Sequence, residues 1–285
     1  MIAVISDIHG NLHALEAVLN DMPRDVSNIW VLGDMVGGLP YPCEVLDCLI
    51  NLHVPVTAVL GNWEVDLIAA KKGLRPEYWE RLQFGTAAWT VDTLKHHHWE
   101  FLEGLAEKQT KGDVPGRALL YHSNPEGTYA PIPDWKTAAE EAAKHTEKWL
   151  LGGHTHVSRV FCVNEQRVVV AGSVGLSLDN IGGMACYALL DGSSISFRHV
   201  PYDIDAALEA FMVSEAFERG PYYSRAIMAT LLTGRAHFGG LDDFISKYVQ
   251  EKLGYVPEII PKELWNEAAD NWKLEDWIEE KIKAK

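Results

Sequence analysis

Ile2-Ala3-Val4-Ile5-Ser6-Asp7-Ile8-His9-Gly10-Asn11-Leu12-His13 is the stretch whose reading decides the fold. Its first four residues are apolar and mostly β-branched, too few for a helix, and read as a buried strand. Leu12, Leu15, Val18 and Leu19 then recur at helical spacing, so the polar residues 6–11 fall where the strand hands over to a helix. The pattern repeats outward. Residues 29–32 and 56–60 are two more short apolar runs, and Val45, Leu46, Leu49 and Ile50 supply a helical stripe between them. The start of the chain therefore reads as βαβαβ. Parallel sheets of this kind carry their functional groups on loops beyond the carboxyl ends of the strands.

Each of those three loops holds a metal-ligating side chain. Asp7 and His9 follow the first strand, Asp34 follows the second within Gly33-Asp34-Met35-Val36-Gly37, and Asn62 follows the third within Gly61-Asn62-Trp63-Glu64. Two carboxylates at one sheet edge repel each other unless a cation lies between them. An amide oxygen such as that of Asn62 is a neutral ligand for such a cation. Any one of these residues alone reads equally well as a turn or cap.

The second half predicts strands near residues 118–121, 149–151, 160–163, 168–171, 185–190 and 195–199, with hairpins at Asn164-Glu165 and Asp191-Gly192-Ser193. Two of its loops add imidazoles, His122 in Tyr121-His122-Ser123, and His154 and His156 in Gly152-Gly153-His154-Thr155-His156. A His-x-His after paired glycines is more specific than a lone histidine, which is usually structural. Residues 64 to about 110 read as a mostly helical insertion or cap. From Asp203, a plausible N-cap, the pattern turns helical to the end, giving a main unit over residues 1–203 and a helical extension over 204–285.

Composition narrows the partners. A formal net charge of -15 makes long nucleic acid a poor partner, whereas a small phosphorylated substrate remains compatible once bound cations dominate the local field. Four cysteines at 43, 48, 162 and 186 form no Cys-x-x-Cys pair and read as reduced thiols. The chain opens directly on a strand and nothing in it reaches membrane-spanning length, so the expected compartment is the cytoplasm, with no membrane partner. A homo-oligomer stays open.

In order, Asp-x-His, Gly-Asp, Gly-Asn, a single His and Gly-His-x-His are the blocks of the calcineurin-like metallophosphoesterase superfamily, which this sequence resembles over roughly residues 1–203. Ser6-Asp7-Ile8-His9-Gly10-Asn11-Leu12-His13 and Gly172-Ser173-Val174-Gly175 look most like its small bacterial YfcE-like phosphodiesterase branch. The resemblance implies a four-layer α/β/β/α sandwich. It further implies a dinuclear centre in which Asp7, His9 and His156 hold one ion, Asn62, His122 and His154 the other, and Asp34 bridges them. A bridging hydroxide between ions about 3.5 to 4 Å apart would attack the phosphorus of a small phosphodiester or phosphomonoester, with Asn62 also contacting the phosphate. The mixed N and O ligands suit manganese, iron, zinc or nickel without choosing among them.

One position departs from the family. Many members carry a His after the Gly-Asn, followed by an Asp, and here Trp63 and Glu64 stand instead. Indole has no titrating proton and cannot act as a general acid. Losing a placed acid costs about 10² to 10⁴ in rate on poor leaving groups, which tilts the expectation toward diesters. His13 is the candidate substitute acid, and helix packing is its competing role. Two other functions stay in view: protein phosphatase, and a metal-binding regulatory module with little turnover. Three further features read as structural or exposed: the run Lys95-His96-His97-His98, the short basic run Lys71, Lys72 and Arg75, and the tryptophans Trp265, Trp272 and Trp277 of the tail.

Overall fold

In the computed structural model, which describes residues 1–75, 79, 84–112 and 114–273, the chain begins with β1 (Ile2–Ile5), α1 (Leu12–Asp21), β2 (Asn28–Val31), α2 (Pro42–Ile50) and β3 (Val56–Ala58). The three strands lie parallel and side by side, as the sequence leads one to expect. Next come α3 (Asn62–Lys71), α4 (Gly85–Thr93), α5 (His96–Glu103), β4 (Lys108–Lys111), β5 (Ala118–Tyr121), α6 (Trp135–Ala142) and β6 (Trp149–Gly152). The hairpins β7 (Arg159–Val163) with β8 (Gln166–Val170), and β9 (Met184–Asp191) with β10 (Ser194–Pro201), follow. Five helices then complete the described chain: α7 (Ile204–Met212), α8 (Glu215–Arg219), α9 (Pro221–Thr233), α10 (Phe238–Leu253) and α11 (Lys262–Asp270). Trp277 lies outside the described residues.

Two five-stranded sheets result, ordered β10-β9-β1-β2-β3 and β4-β5-β6-β8-β7. Side-chain alternation joins them. Ile2, Val4, Trp30 and Leu32 from the first sheet meet Leu120, Trp149, Leu151 and Val169 from the second in one buried cluster. The alternate residues Ala3, Ile5, Ile29 and Val31 face the helix layer of α1 and α2, while Leu119, Tyr121, Leu150 and Val168 face α6. This is the α/β/β/α sandwich, and burial on both faces is why β1 reads as an unbroken apolar run.

The insertion differs from expectation at its far end. Its last part is a strand: Lys108–Lys111 pairs antiparallel with β5, a largely exposed edge whose Lys-Gln-Thr-Lys sequence carries no apolar alternation to betray it. Its helices also pack beside α2 and α3 through Ala87, Leu94, Trp99 and Leu102, which buttresses the first sheet. Against the site loops, Leu39 and Leu176, pack Leu208, Phe211, Ile227 and Leu231 of the C-terminal extension, joined by Trp89 of α4. Among the described residues, no helix is long and apolar enough to cross a membrane.

Candidate metal centre

Backbone hydrogen bonds tie the loops after β1 and β2 to each other, and the loops after β5 and β6 to each other. Asp7 N–H donates to Gly33 O (3.0 Å), His9 N–H to Asp34 O (2.9 Å), and Gly153 N–H to His122 O (2.7 Å). Gly172-Ser173-Val174-Gly175 props the first loop from behind: Ser173 Oγ donates to Asp7 O at 2.7 Å, and Gly175 N–H donates there at 2.9 Å. Close approach demands glycine at Gly61 and Gly153, where a Cβ would run into the Asp34 and Asp7 carboxylates respectively.

Asp7, His9, Asp34, His154 and His156 all have positive φ, between 52° and 67°. Non-glycine residues rarely adopt this region, and several such residues held at one place mark a functional site more often than a structural one. The left-handed turns aim the side chains at a common point. One group joins Asp7, His9 and His156, and a second joins Asp34, His122 and His154, the donor atoms within each lying within 4.8 Å of one another. Asn62, at the start of α3, directs Oδ1 at His122 Nε2 (3.0 Å) and His154 Nδ1 (2.9 Å). Asp34 Oδ2 lies 3.2 Å from His122 Nε2 and 3.8 Å from His9 Nε2, between the two groups.

The ring protons decide what this cluster can hold. Nδ1 of His9, His122 and His156 donates to Gly37 O, Leu32 O and Leu176 O, at 2.9, 2.7 and 2.8 Å. A carbonyl only accepts, so each of these rings spends its Nδ1 proton outward and turns Nε2 inward, the arrangement that orients metal-ligating histidines. Nε2 of His9 faces Nε2 of His156 at 3.2 Å, two acceptors that need a cation or a proton between them. Burial drives His9 down to about 4. In His122 burial acts downward too, but Asp34, 3.2 Å from Nε2, overcomes it and holds the ring up to about 10, so without metal this Nε2 shares a proton with the carboxylate that a bound ion would displace. Burial pushes Asp7 and Asp34 upward, yet His156 and His122 respectively keep both carboxyls below their usual range. Two anionic carboxylates, a neutral amide oxygen and four imidazoles make a donor set that fits two transition-metal or divalent ions.

Glu64 is the residue whose role the sequence reading missed. It is fully buried and accepts from the backbone N–H groups of Asp34 (2.8 Å), Met35 (2.7 Å), Val36 (3.2 Å) and Gly61 (2.8 Å). It thereby ties the second loop to the third, and burial together with Asp34 pushes it up to about 7. Its place at the third position of α3, behind Gly61, is the capping-box signal that could have revealed it. His13 is not brought to the centre: it packs edge-on against Tyr41, ring centroids 5.7 Å apart, and does not line the cavity beside the cluster.

Carboxylates and imidazoles thus gather on the strand ends of a two-sheet sandwich, with the donor types a metal-dependent phosphoesterase uses. The chain belongs to the calcineurin-like phosphoesterase superfamily, whose domain model matches residues 1–194. It is 29% identical over 234 residues to protein MJ0912 of Methanocaldococcus jannaschii, spanning 73% of this chain and 90% of that one. It is 28% identical to the symmetrical bis(5'-nucleosyl)-tetraphosphatase of Erwinia tasmaniensis over 156 residues, 54% of this chain and about half (53%) of the relative. A metallophosphoesterase from Sphaerobacter thermophilus shares the fold with a TM-score of 0.67 and 26% identity, covering 82% of this chain and 98% of its own.

Proposed function

We propose that the protein is a metal-dependent phosphoesterase acting on small phosphate esters, with phosphodiesters preferred. Asp7, His9 and His156 would hold one ion, Asn62, His122 and His154 the second, and Asp34 both. The observation that carries this reading is the convergence of the Nε2 atoms of His9, His122 and His156, each ring locked by its Nδ1–H on a backbone carbonyl. When bound, the metal pair supplies an activated water and positive charge facing the phosphate oxygens. The chain's own residues do the positioning. His154 N–H fixes the Asp7 carboxylate at 3.0 and 3.2 Å, the Trp63 backbone N–H fixes Asp34 Oδ1 at 2.9 Å, and Glu64 locks the loops that carry Asp34 and Asn62.

Trp63 stands at the cavity where an acid would protonate the leaving group, so esters whose leaving group departs unprotonated are favoured. The cavity, about 320 Å³ and walled by α9 and α10, suits a small ester better than a loop of a phosphoprotein. Manganese-loaded protein should hydrolyse bis(p-nitrophenyl) phosphate, and Asp34→Asn should abolish the turnover. Trp63→His should raise the monoester rate relative to the diester rate. A loaded protein without turnover would favour the regulatory-module reading.

A further inference from the structure

The cavity lining is of two kinds: the polar ligand side chains, and the apolar and aromatic residues Trp63, Leu176, Tyr223, Ile227 and Phe238. Three of these five come from the C-terminal extension, outside residues 1–194 that carry the family match. Trp63 lies against the backbone of Gly37, where a Cβ would enter the indole ring, and its ring meets His9 edge-on, centroids 6.1 Å apart. Tyr223 and Phe238 form a second aromatic pair, centroids 6.1 Å apart and tilted by 49°. Both are half-buried and line the cavity, as does the buried Ile227.

Charge sharpens the contrast. Among the described residues lining the cavity there is no Lys or Arg. The nearest basic run in the sequence is engaged elsewhere: Lys71 with Glu103 (3.2 Å) and the face of Trp99, and Arg75 with Asp92 (4.0 Å). A polyphosphate chain entering this cavity would meet aromatic rings and no cationic side chain, whereas extended phosphates are ordinarily met by Arg or Lys.

We propose that α9 and α10 form a specificity wall that seats an uncharged planar aromatic group of the phosphate ester between Trp63 and the pair Tyr223 and Phe238. This rests on the phosphoesterase reading of the adjacent centre. Burying a ring against apolar walls with aromatic faces stabilises the complex through desolvation and ring contact, and leaves the phosphate to the polar ligand side chains.

The test is calorimetric binding of two non-hydrolysable probes, phenylphosphonate and methylphosphonate, to the full manganese-loaded chain. The wild type should bind the phenyl probe roughly tenfold or more tightly than the methyl probe, and 4-carboxyphenylphosphonate should lose most of that gain. Phe238→Ala and Tyr223→Ala should each reduce the phenyl-to-methyl ratio. Phe238→Leu, which keeps apolar bulk and so protects folding, should reduce it by less. Equal affinities in the wild type, or a ratio surviving both alanine substitutions in folded protein, would overturn the wall. Turnover of p-nitrophenyl esters, measured in parallel, separates the two readings: turnover without an aryl preference overturns the wall alone, and an aryl binding preference without turnover upholds the wall while removing the hydrolase.

Discussion

Asp47, His97 and His98 also bring a carboxylate and imidazoles within 4.8 Å of one another, yet they differ from the Asp7, His9, Asp34, His122, His154 and His156 cluster in where the ring protons point. His98 is fully buried, and its Nδ1 accepts from Lys95 N–H at 3.1 Å. Its Nε2 therefore carries the proton and donates it to Asp47 Oδ1 at 3.0 Å, beside His97 Nε2 at 2.7 Å. That group is a set of completed hydrogen bonds pinning α5 to α2. In the centre the Nδ1 protons of His9, His122 and His156 are spent on backbone carbonyls, and Nε2 of His9 faces Nε2 of His156 at 3.2 Å. Proximity of ligating residue types is thus a weak sign of a metal, and unmet acceptor capacity is a stronger one.

The largest effect should separate the two clusters directly. His156→Ala should cut diesterase activity by at least about 10²-fold, beyond what is typical for losing an outer partner of a metal ligand. Asp47→Asn should leave activity near wild type, and parallel kinetic assays check both. An Asp47 variant as inactive as the His156 variant would erase the distinction.

Next in size is the buried carboxylate that serves no metal. Removing Glu64 leaves four buried N–H groups without their acceptor, each costing about 1–3 kcal/mol when unsatisfied. Partial water entry should bring the Glu64→Ala loss to about 3–5 kcal/mol in chemical denaturation of the metal-free protein. Glu64→Gln retains one acceptor oxygen and should lose less. A neutral Glu64→Ala would mean that these loops are held by something other than this carboxylate.

Metal itself should stabilise the fold by about 2.7 kcal/mol at a hundredfold excess over its dissociation constant. Asp47→Asn should keep that increment, seen as a rise in melting temperature on manganese addition, and Asp34→Asn should shrink it. The smallest effect belongs to Asp47. Hydrogen bonds from His97, then His98, hold its carboxyl below 3.8. A lowered folded-state value stabilises above the unfolded value and is lost as pH falls through the folded one. The wild-type advantage over Asp47→Asn should be under about 1 kcal/mol near neutrality, because the pair is half exposed, and it should vanish on acidification.

Much of this contrast was legible in the sequence. Asp7, His9, Asp34, Asn62, His122, His154 and His156 each follow a strand, and the period of Leu12, Leu15 and Val18 fixed which residues fell in loops. The rest depended on neighbours distant in sequence. Lys95-His96-His97-His98 suggests a solvated helix face, and His96 does lie exposed beside Glu100 at 3.4 Å; His98 is buried because Asp47 of α2 is there to receive it. Glu64 looks like a surface helical residue until Asp34, Met35 and Val36 are brought over it. Nothing in the spacing of Tyr223 and Phe238 marks them as cavity walls, since only the docking of α9 on Leu39 and Leu176 carries them there.

Metal content of the purified, manganese- or zinc-saturated chain tests the central claim most directly. The account predicts two ions per chain by elemental analysis, retained in Asp47→Asn and diminished in Asp34→Asn and His156→Ala. A folded, saturated protein holding none, or losing its ions with Asp47 while keeping them without Asp34, would contradict it.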